Sequence, residues 1–431
     1  LSSYFGTLDY GFKKRYFLTL SGRTDGSSKL SPKNRWTQYG SVGASWIMSD
    51  EHFFKSSFVD LLKLKASFGS VGNQNGIGEF PYLQQYGRGT YSGGSTLQIS
   101  QLGNNNLTWE KRRTSNIGID AGFLKSRITA TIEVYNSLTT GLYFSPFVPS
   151  TSGGGGNILT NNGSMENKGI ELSLGFKIID SKDFKWSIDG NFAYNKNTIK
   201  SLPNNQDLQI TGIQALKVGQ PLNSFYLVKF AGVDPATGNS LYYEKDGKTK
   251  TDIYSSSDRV IVGTSDAPTN GGVTNTISYK GFELQAFITY SLGNYIYNNA
   301  RYNVTYGGYS TSGFVAAALN AWTTPGQITD FPKIGENTEA NTTRFLEKDD
   351  FWRLRNVMLS YNFPSAICEK LKIQGARFFI QGQNLYTHFS FQGWDPEVSP
   401  IQDPNGVSSS TVSGAQYPAL KTITVGLNLT F

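Results

Sequence analysis

The residues that could do chemistry in this chain are few and widely separated. Asp349 and Asp350 are adjacent carboxylates, but neighbouring residues on a strand point to opposite faces, which makes them a poor acid–base pair. Cys368 is the one cysteine, so no internal disulfide forms, and "FPSAICEKL" favours a small buried residue over a nucleophile. His52 and His388 have no cysteine cluster beside them. We therefore expect no enzyme, no metal site and no cofactor.

Two short stretches resemble ligand loops but lack the required spacing. "TSGGGGN" at 151–157 follows no strand–helix phosphate pattern, which favours a loop tip. "DPATGNS" at 234–240 lacks the spacing of a calcium-binding hand, so a turn is expected. The chain also has no G-x-S-x-G and no H-E-x-x-H motif. These stretches add no catalytic or phosphate site.

Aromatic residues in the predicted loops are the candidates for binding. Their rings could stack on sugar rings or peptide side chains, and the neighbouring amides suit peptides. Packing within the loops, or contact with a partner protein, is the alternative for each residue. The candidates for substrate or partner contact are Tyr82, Tyr86, Tyr91, Tyr306, Tyr309, Trp322 and Trp394.

Composition favours a β-sheet protein with many turns. Of 431 residues, 14% are aromatic, 16% are charged and 47 are glycine. Mean hydropathy is −0.34, and no run approaches the roughly 20 apolar residues of a membrane helix. The net charge of +7 is scattered without a nucleic-acid motif, so no nucleic-acid partner is expected. An anionic surface such as lipid headgroups or lipopolysaccharide suits it better.

Long segments alternate strictly between apolar and polar residues. In the final stretch, Ile423, Val425 and Leu427 share one parity, and threonine, glycine and asparagine occupy the other. Alternation over about 10–16 residues exceeds the 5–6 residues typical of sandwich strands and matches tilted membrane strands. Trp36 and Trp46 share a parity about 33 Å apart along their strand, which could place one in each aromatic girdle of a membrane barrel. Two ordinary core tryptophans are the alternative.

Connections between the strands alternate between short and long, which is the pattern of outer-membrane barrels. The short ones are 11–12, 49–60, 123–125, 180–182, a Lys280-Gly281 turn and 364–370. Segment 200–269 is assigned to a loop, although "SFYLVKFAGVDPATGNSLYYEKDGK" predicts a hairpin within it. The thirteen predicted strands lie near 1–10, 13–23, 36–48, 61–71, 107–122, 126–144, 165–179, 183–199, 270–280, 281–294, 349–363, 371–390 and 417–431.

An odd strand count carries a prediction about the rest of the protein. A bacterial single-chain barrel has an even number of strands, so an odd number is expected before Leu1. In such a barrel the apolar parity faces lipid and the polar parity faces the lumen. Arg353 and Arg355 fall on the polar parity of "FWRLRNVMLSYNF" and are expected to contact a plug or line the path. A lipid-facing arginine would cost about 2–4 kcal/mol at mid-bilayer.

A set of motifs spread along the whole chain resembles a known family. They are "SGRTDGSSKLSPKNRW", "SVGASWIMSDE", "LLKLKASFGSVGNQNGIG", "NGSMENKGIELSL", "VDPATGNSLYY", "FWRLRNVMLSYNFP", "FIQGQNLYT", "WDPEV" and "LNLTF". Together they resemble the barrel of SusC/RagA-type TonB-dependent transporters of Bacteroidota. That resemblance implies an all-β, 22-stranded transmembrane antiparallel barrel in the bacterial outer membrane, with this chain, 1–431, supplying about the last 13 strands. The plug domain, the TonB box and the first strands are expected to be absent from the chain.

The resemblance also implies a function and partners. The function is TonB-dependent import of large nutrients, oligosaccharides or oligopeptides, under a SusD-like lipoprotein lid. TonB would act through the missing N-terminal part. The alternative is an outer-membrane barrel that serves as a scaffold for a surface enzyme or a secretion-associated complex. Outer-membrane barrels commonly end in an aromatic residue that the barrel-assembly machinery reads, and Phe431 resembles that assembly signal.

Overall fold

The computed structural model describes residues 1–149, 151, 156–305, 316–335, 341–397 and 417–431. It confirms all thirteen predicted strands, which form a single large antiparallel sheet. Sequential strands pair with one another, as expected when turns and loops join antiparallel neighbours. The strands are Ser2–Phe12, Tyr16–Gly26, Trp36–Ile47, Val59–Asn73, Glu110–Phe123, Ile128–Thr140, Ser164–Asp180, Phe184–Ser201, Thr269–Tyr279, Phe282–Leu292, Phe351–Asn362, Gly375–Phe389 and Thr422–Thr430.

The predicted alternation of short and long connections is confirmed except at 27–35, which was predicted to be long but has nine residues, fewer than the eleven of 48–58. Short connections cover 13–15, 48–58, 124–127, 181–183, 280–281 and 363–374, and each is followed by a longer one. Two boundaries were wrong. Gly11 and Phe12 lie within the first strand rather than in the turn, because they pair with Phe17 and Tyr16. The strand predicted to reach residue 144 ends at Thr140, because Gly141 takes a φ of +68° that breaks the extended backbone.

The chain divides into two compact units. The first comprises Leu1–Lys177 with Asp189–Leu208 and Lys217–Gln220. It contains the strands from Ser2 through most of Ser164–Asp180. Its ladders run without interruption over long registers, for example from Ser164↔Thr140 to Phe176↔Ile128. Such long ladders satisfy the backbone polar groups within the sheet, which a strand in lipid requires.

The second unit comprises Ile178–Ile188, Gln209–Leu216 and Pro221–Phe431. Its last strand, Thr422–Thr430, pairs with Gly375–Phe389. The apolar parity of that last strand is uncovered: Ile423 is 74% exposed and Val425 60%. Exposed apolar rows of this length on a soluble surface would be an aggregation hazard, whereas in a bilayer they face hydrocarbon.

Aromatic rings mark both ends of the strand Trp36–Ile47. Trp36 stacks on Tyr4 with ring centroids 6.1 Å apart. At the other end Trp46 stacks on Tyr16 at 6.3 Å. Glu51 of the following turn accepts hydrogen bonds from Trp46 Nε1 at 3.0 Å and from the Tyr16 hydroxyl at 2.5 Å. The two ring pairs lie at opposite ends of one strand, and their placement in two aromatic girdles stays a prediction.

The connections between the long strands have folded structure of their own, most of which the sequence did not predict. Their short strands are Gln85–Tyr91, Gly94–Gln101, Tyr143–Phe144, Phe147–Val148, Gly156–Asn157, Thr160–Asn161, Leu208–Thr211, Gln214–Lys217, Ser224–Leu227, Phe230–Val233, Ser240–Tyr243, Lys250–Thr251, Val260–Thr264, Tyr295–Tyr297 and Leu346–Lys348. The α-helices are Asn299–Thr305 and Ser365–Lys370. The 3-10 helices are Met48–Asp50, Pro203–Asn205, Ser256–Asp258, Ala316–Asn320 and Thr343–Phe345. Among the described residues, no helix is long and apolar enough to cross a membrane.

Each unit has a hydrophobic core within its long connections. In the first unit Leu30, Ile77, Leu107 and Trp109 are buried together. In the second, Phe225, Leu227, Tyr297 and Phe345 form the corresponding cluster. The predicted hairpin is confirmed outside the large sheet, where Phe230–Val233 pairs with Ser240–Tyr243. The connections therefore contain packed structure beyond the large sheet.

Candidate functional site

A buried arginine anchors the connection between the last two strands. Arg353 is 1% exposed and lies in the strand Phe351–Asn362. Its guanidinium forms ion pairs with Asp395 and, at 2.9 Å, with Glu397 Oε2. Both carboxylates belong to the motif "WDPEV". Asp395 lies 42 positions after Arg353 in the sequence. The ion pairs fix this motif to the start of the strand.

Asp395 joins both ends of the connection that follows the strand Gly375–Phe389. Its Oδ1 accepts a hydrogen bond from the Glu397 backbone N–H at 2.9 Å, and its Oδ2 accepts one from the Ala419 N–H at 2.8 Å. We call Arg353, Asp395 and Glu397 the arginine clamp. Burial by itself would raise the pKa of Asp395, but these backbone donors and the Arg353 guanidinium outweigh burial and lower the pKa.

Arg355 extends the clamp at its exposed side. A bulge at Arg355 leaves it unpaired in the ladders on either side, between Leu354 and Asn356. Its guanidinium forms an ion pair with Glu397 and donates to Thr289 Oγ1 at 3.3 Å. The structure therefore brings the two predicted arginines together on one carboxylate. Their contact with a plug or a transport path stays a prediction.

A second set of bonds holds the same connection nearer its start. Glu347 Oε2 accepts from the Gln392 N–H at 2.6 Å, and Asn298 Nδ2 donates to the Gln392 carbonyl at 2.9 Å. Arg301 Nη1 forms an ion pair with Glu347 Oε1 at 3.1 Å. The segment from Ser390 to Glu397 is thus bonded at several points to the connection 293–350 and to the strand Phe351–Asn362.

A buried carboxyl lies beside this network. Asp349 is 5% exposed, and its Oδ2 accepts from Asn294 Nδ2 at 2.9 Å. Burial raises the pKa of Asp349 to about 7, and nearby carboxylates, including Asp350 and Asp395, add to the rise. The pair Asn294–Asp349 therefore changes charge near neutral pH.

We expect this carboxyl to make the local structure pH-dependent. The folded pKa of Asp349 lies above the unfolded value, so the stabilising proton is bound at low pH and lost as pH rises. Between about pH 4 and pH 7 local opening should become up to tenfold more favourable per pH unit, with no further change above the folded pKa. Hydrogen exchange of the amides in 294–298 and 346–349, corrected for intrinsic rates, measures this.

Two variants check the assignment of that pH dependence. Asp349→Asn keeps the shape and removes the titration, so protection should become independent of pH. The Asp350 carboxylate accepts from the Gly293 N–H at 2.5 Å. Asp350→Asn should keep a pH dependence, but one that ends at a lower pH, because the Asp350 charge no longer raises the pKa of Asp349. A pH dependence that survives in Asp349→Asn would contradict the prediction.

The predicted aromatic candidates of the first unit lie in and beside one hairpin. Tyr86 and Tyr91 belong to the strand Gln85–Tyr91 and are 57% and 77% exposed. The Tyr86 hydroxyl accepts from Gln84 Nε2 at 2.7 Å. Tyr82 is half-buried and packs edge-on against Phe80, with centroids 6.4 Å apart. Tyr86 and Tyr91 are therefore the accessible members of this group.

The candidates of the second unit differ in their surroundings. Trp322 donates its Nε1–H to the Pro235 carbonyl at 2.9 Å and covers Gly238, so it packs within the unit. Trp394 is 74% exposed next to the arginine clamp. Phe431 directly follows the last strand and is 81% exposed. Tyr306 and Tyr309 lie outside the described residues.

Sequence reasoning missed the partners of the predicted arginines. It identified "FWRLRN" and "WDPEV" as separate motifs without pairing Arg353 with Asp395. Two opposite charges in distant motifs, each at the end of a predicted strand, were the available signal. The burial of Asp349 and Asn294 had no comparable signal. Within the part of the chain that the structure covers, no cluster of three His, Cys, Asp or Glu side chains could hold a metal.

Comparison with known proteins gives consistent matches. Residues 1–258 match the family described as TonB dependent receptor-like, beta-barrel. TonB-dependent receptor P3 of Formosa agariphila is 30% identical over all of this chain and 45% of its own length. TonB-dependent receptor SusC of Bacteroides thetaiotaomicron is 31% identical over all of this chain and 44% of its own length. Thus the chain spans about half the length of the curated relatives it matches.

One solved structure is similar to this chain in both fold and sequence. The RagAB peptide transporter has a chain that matches all of this one with a TM-score of 0.90 and 31% identity, and 47% of that chain is covered. Members of this group are outer-membrane β-barrel proteins. The chain belongs to the TonB-dependent receptor-like β-barrel family and resembles its SusC/RagA type.

Proposed function

We propose that this chain supplies the C-terminal barrel portion of a TonB-dependent importer of large nutrients. In this proposal about thirteen strands come from 1–431, and the plug, the TonB box and the remaining strands come from other parts of the protein. The observation that carries it is the full-length match in fold to the RagAB peptide transporter. The match covers 45% of the length of the P3 receptor, so the plug, the TonB box and the remaining strands would correspond to other parts of that receptor.

The proposed cargo is an oligopeptide or an oligosaccharide, and the proposed partner at the long connections is a SusD-like lipoprotein lid. Exposed rings at Tyr86, Tyr91 and Trp394 suit either cargo because they can stack on sugars or on apolar side chains. The folded cores under the long connections support a surface rigid enough for a lid to close on. The role is transport rather than catalysis.

Uptake and co-purification test the proposal. A strain lacking the full-length protein should lose growth on defined oligopeptides or on oligosaccharides, and a tonB deletion should reproduce the loss. Affinity purification of the full-length protein should recover a surface lipoprotein. Normal uptake in the deletion strain, together with recovery of a surface enzyme or secretion component, would favour the scaffold alternative.

Phe431 is proposed as the assembly signal. Deleting it should lower the amount of folded barrel more than the uptake per folded barrel, because the residue follows the last strand and supports no buried contact of the sheet. Heat-modifiable mobility on gels measures the folded fraction, and substrate uptake is normalised to it. Phe431→Tyr, which keeps an aromatic end, serves as the control. Normal amounts of folded barrel after the deletion would refute the assignment.

A further inference from the structure

Five lysines in the short turns adopt a backbone conformation that usually belongs to glycine or asparagine. The φ angles are +52° for Lys13, +55° for Lys14, +59° for Lys125, +45° for Lys280 and +56° for Lys372. Side chains with a Cβ are disfavoured in this left-handed region. Leu124 and Ser126, on either side of Lys125, also adopt this conformation, so it belongs to the turn, and the exposed charge of the lysine side chains is the feature that needs explanation.

In the first unit three of these lysines occupy two turns. Lys13 and Lys14 connect the first two strands, and Lys125 connects Glu110–Phe123 to Ile128–Thr140. All three side chains are exposed. Lys13 Nζ lies 5.2 Å from the centre of the Phe12 ring. The ammonium group is therefore held beside an aromatic residue at the strand end, where a barrel meets the membrane interface.

In the second unit the same arrangement recurs at different turn types. Lys280 is the first residue of the two-residue turn with Gly281, a position that favours asparagine or aspartate. Its Nζ lies 5.4 Å from the centre of the Tyr279 ring. Lys372 follows the helix Ser365–Lys370 at the position where glycine commonly ends a helix. Two different turn geometries thus carry an exposed lysine in place of the preferred residue.

None of these five lysines forms an ion pair with any residue that the structure describes. The acidic residues near these turns, Asp60, Asp183 and Glu369, are exposed, and none of them forms an ion pair with a turn lysine, although Asp60 accepts a hydrogen bond from the Ser126 N–H beside Lys125. Short turns of outer-membrane barrels face the periplasm, at the level of the phospholipid headgroups. We propose that, within each unit, the turn lysines bind the phosphate groups of anionic phospholipids in the periplasmic leaflet.

The proposal rests on the outer-membrane location and is independent of what the protein imports. Lysine is a compact cation on a long flexible stem, which suits it to reach a headgroup phosphate from a turn. A basic residue near an anionic surface contributes about fivefold to binding. Lys13 and Lys14 share one turn and should together contribute about 25-fold, whereas Lys125, four strands further along the sheet, should contribute about fivefold at its own turn.

Native mass spectrometry of the full-length protein in neutral detergent provides the test. Phosphatidylglycerol and phosphatidylcholine serve as probes, and the number of retained lipids is counted at each lipid concentration. In Lys13→Asn/Lys14→Gly/Lys125→Asn, the affinity for phosphatidylglycerol should fall about 25-fold at the turn of Lys13 and Lys14 and about fivefold at the turn of Lys125. Retention of phosphatidylcholine should not change. The melting temperature in detergent should stay equal or rise, because the new residues suit the turns.

Three further variants separate lipid binding from folding. Lys33→Asn, an exposed lysine in a long connection with an ordinary φ, should leave lipid retention unchanged. The variant Lys13→Arg/Lys14→Arg/Lys125→Arg keeps the positive charges and should therefore keep phosphatidylglycerol retention. Lys280→Asn/Lys372→Gly tests the second unit separately and should also lose retention. Unchanged phosphatidylglycerol retention in both neutral variants, or an equal loss in Lys33→Asn, would overturn the proposal.

Discussion

Replacing Arg353 by methionine should release the connection that joins the last two strands. The substitution keeps the volume of the side chain and leaves Asp395 buried without its main counter-charge, and Glu397 without its 2.9 Å partner. Removing one partner of a buried ion pair typically costs about 3–5 kcal/mol. The Glu397 and Ala419 amides, which donate to Asp395, should then exchange with solvent about 100-fold faster or more. Exchange measured on peptides covering 390–397 and 417–421 reports this.

Arg355→Met is the matched control for that result. Its side chain is 33% exposed and its ion pair to Glu397 lies at the rim of the clamp. Pairs of that kind contribute about 0–1 kcal/mol, so the Ala419 amide should remain protected. The double variant Arg353→Met/Asp395→Asn should lose less amide protection than the sum of the losses in the two single variants. The reason is that the double variant has no buried carboxylate without a counter-charge. Equal exchange in the two arginine variants would mean that the clamp does not depend on Arg353.

The large sheet was predictable because alternation and connection length are local signals. Each strand such as Phe282–Leu292 has one apolar and one polar face, and a period of two can be read directly from the sequence. The errors came at strand ends. At Gly141 the alternating pattern continues past the true end, and a single left-handed φ decides where the strand stops. Alternation contains no information about that angle.

The candidate site was less predictable because it depends on contacts between distant segments. Arg353 falls on the polar parity of its strand, but its burial depends on Asp395, 42 positions later in the sequence. The long connections were interpreted as individual binding loops, whereas Phe225 and Phe345 show that connections far apart in sequence share a core. A pattern of short apolar runs separated by turns does not say which run packs against which.

Replacing Phe345 by alanine should unfold the long connections of the second unit locally and leave its long strands intact. Phe345 is fully buried and packs edge-on against Tyr297 at 6.2 Å and Tyr302 at 5.3 Å. Its carbonyl accepts from the Asn298 N–H at 2.8 Å. Phenylalanine-to-alanine changes in a core cost about 3–5 kcal/mol, because the cavity adds to the lost transfer energy.

The same residue links the core to a cation held by aromatic rings. The Arg344 guanidinium lies 5.2 Å from the centres of the Phe230 and Phe331 rings and 5.7 Å from that of Phe345. Burial, together with the nearby positive charge of Arg301, lowers the pKa of Arg344 to about 10. Loss of the Phe345 ring would admit water to this site and weaken the cation–π contacts with the remaining rings. The cavity and the exposed guanidinium should therefore both destabilise the core under the long connections.

Hydrogen exchange distinguishes local unfolding from failure of the whole sheet. In Phe345→Ala, amides of 224–227, 260–264 and 295–297 should exchange about 100-fold faster, whereas those of 282–292 and 351–362 should be unchanged. The long ladders keep their protection because the backbone bonds between those two strands involve neither the Phe345 ring nor its carbonyl. Leu319→Ala, at a residue 89% exposed, should change neither group. If the long strands lost protection together with the connections, the core under the long connections would be part of the barrel's own stability, and the two would form one cooperative unit.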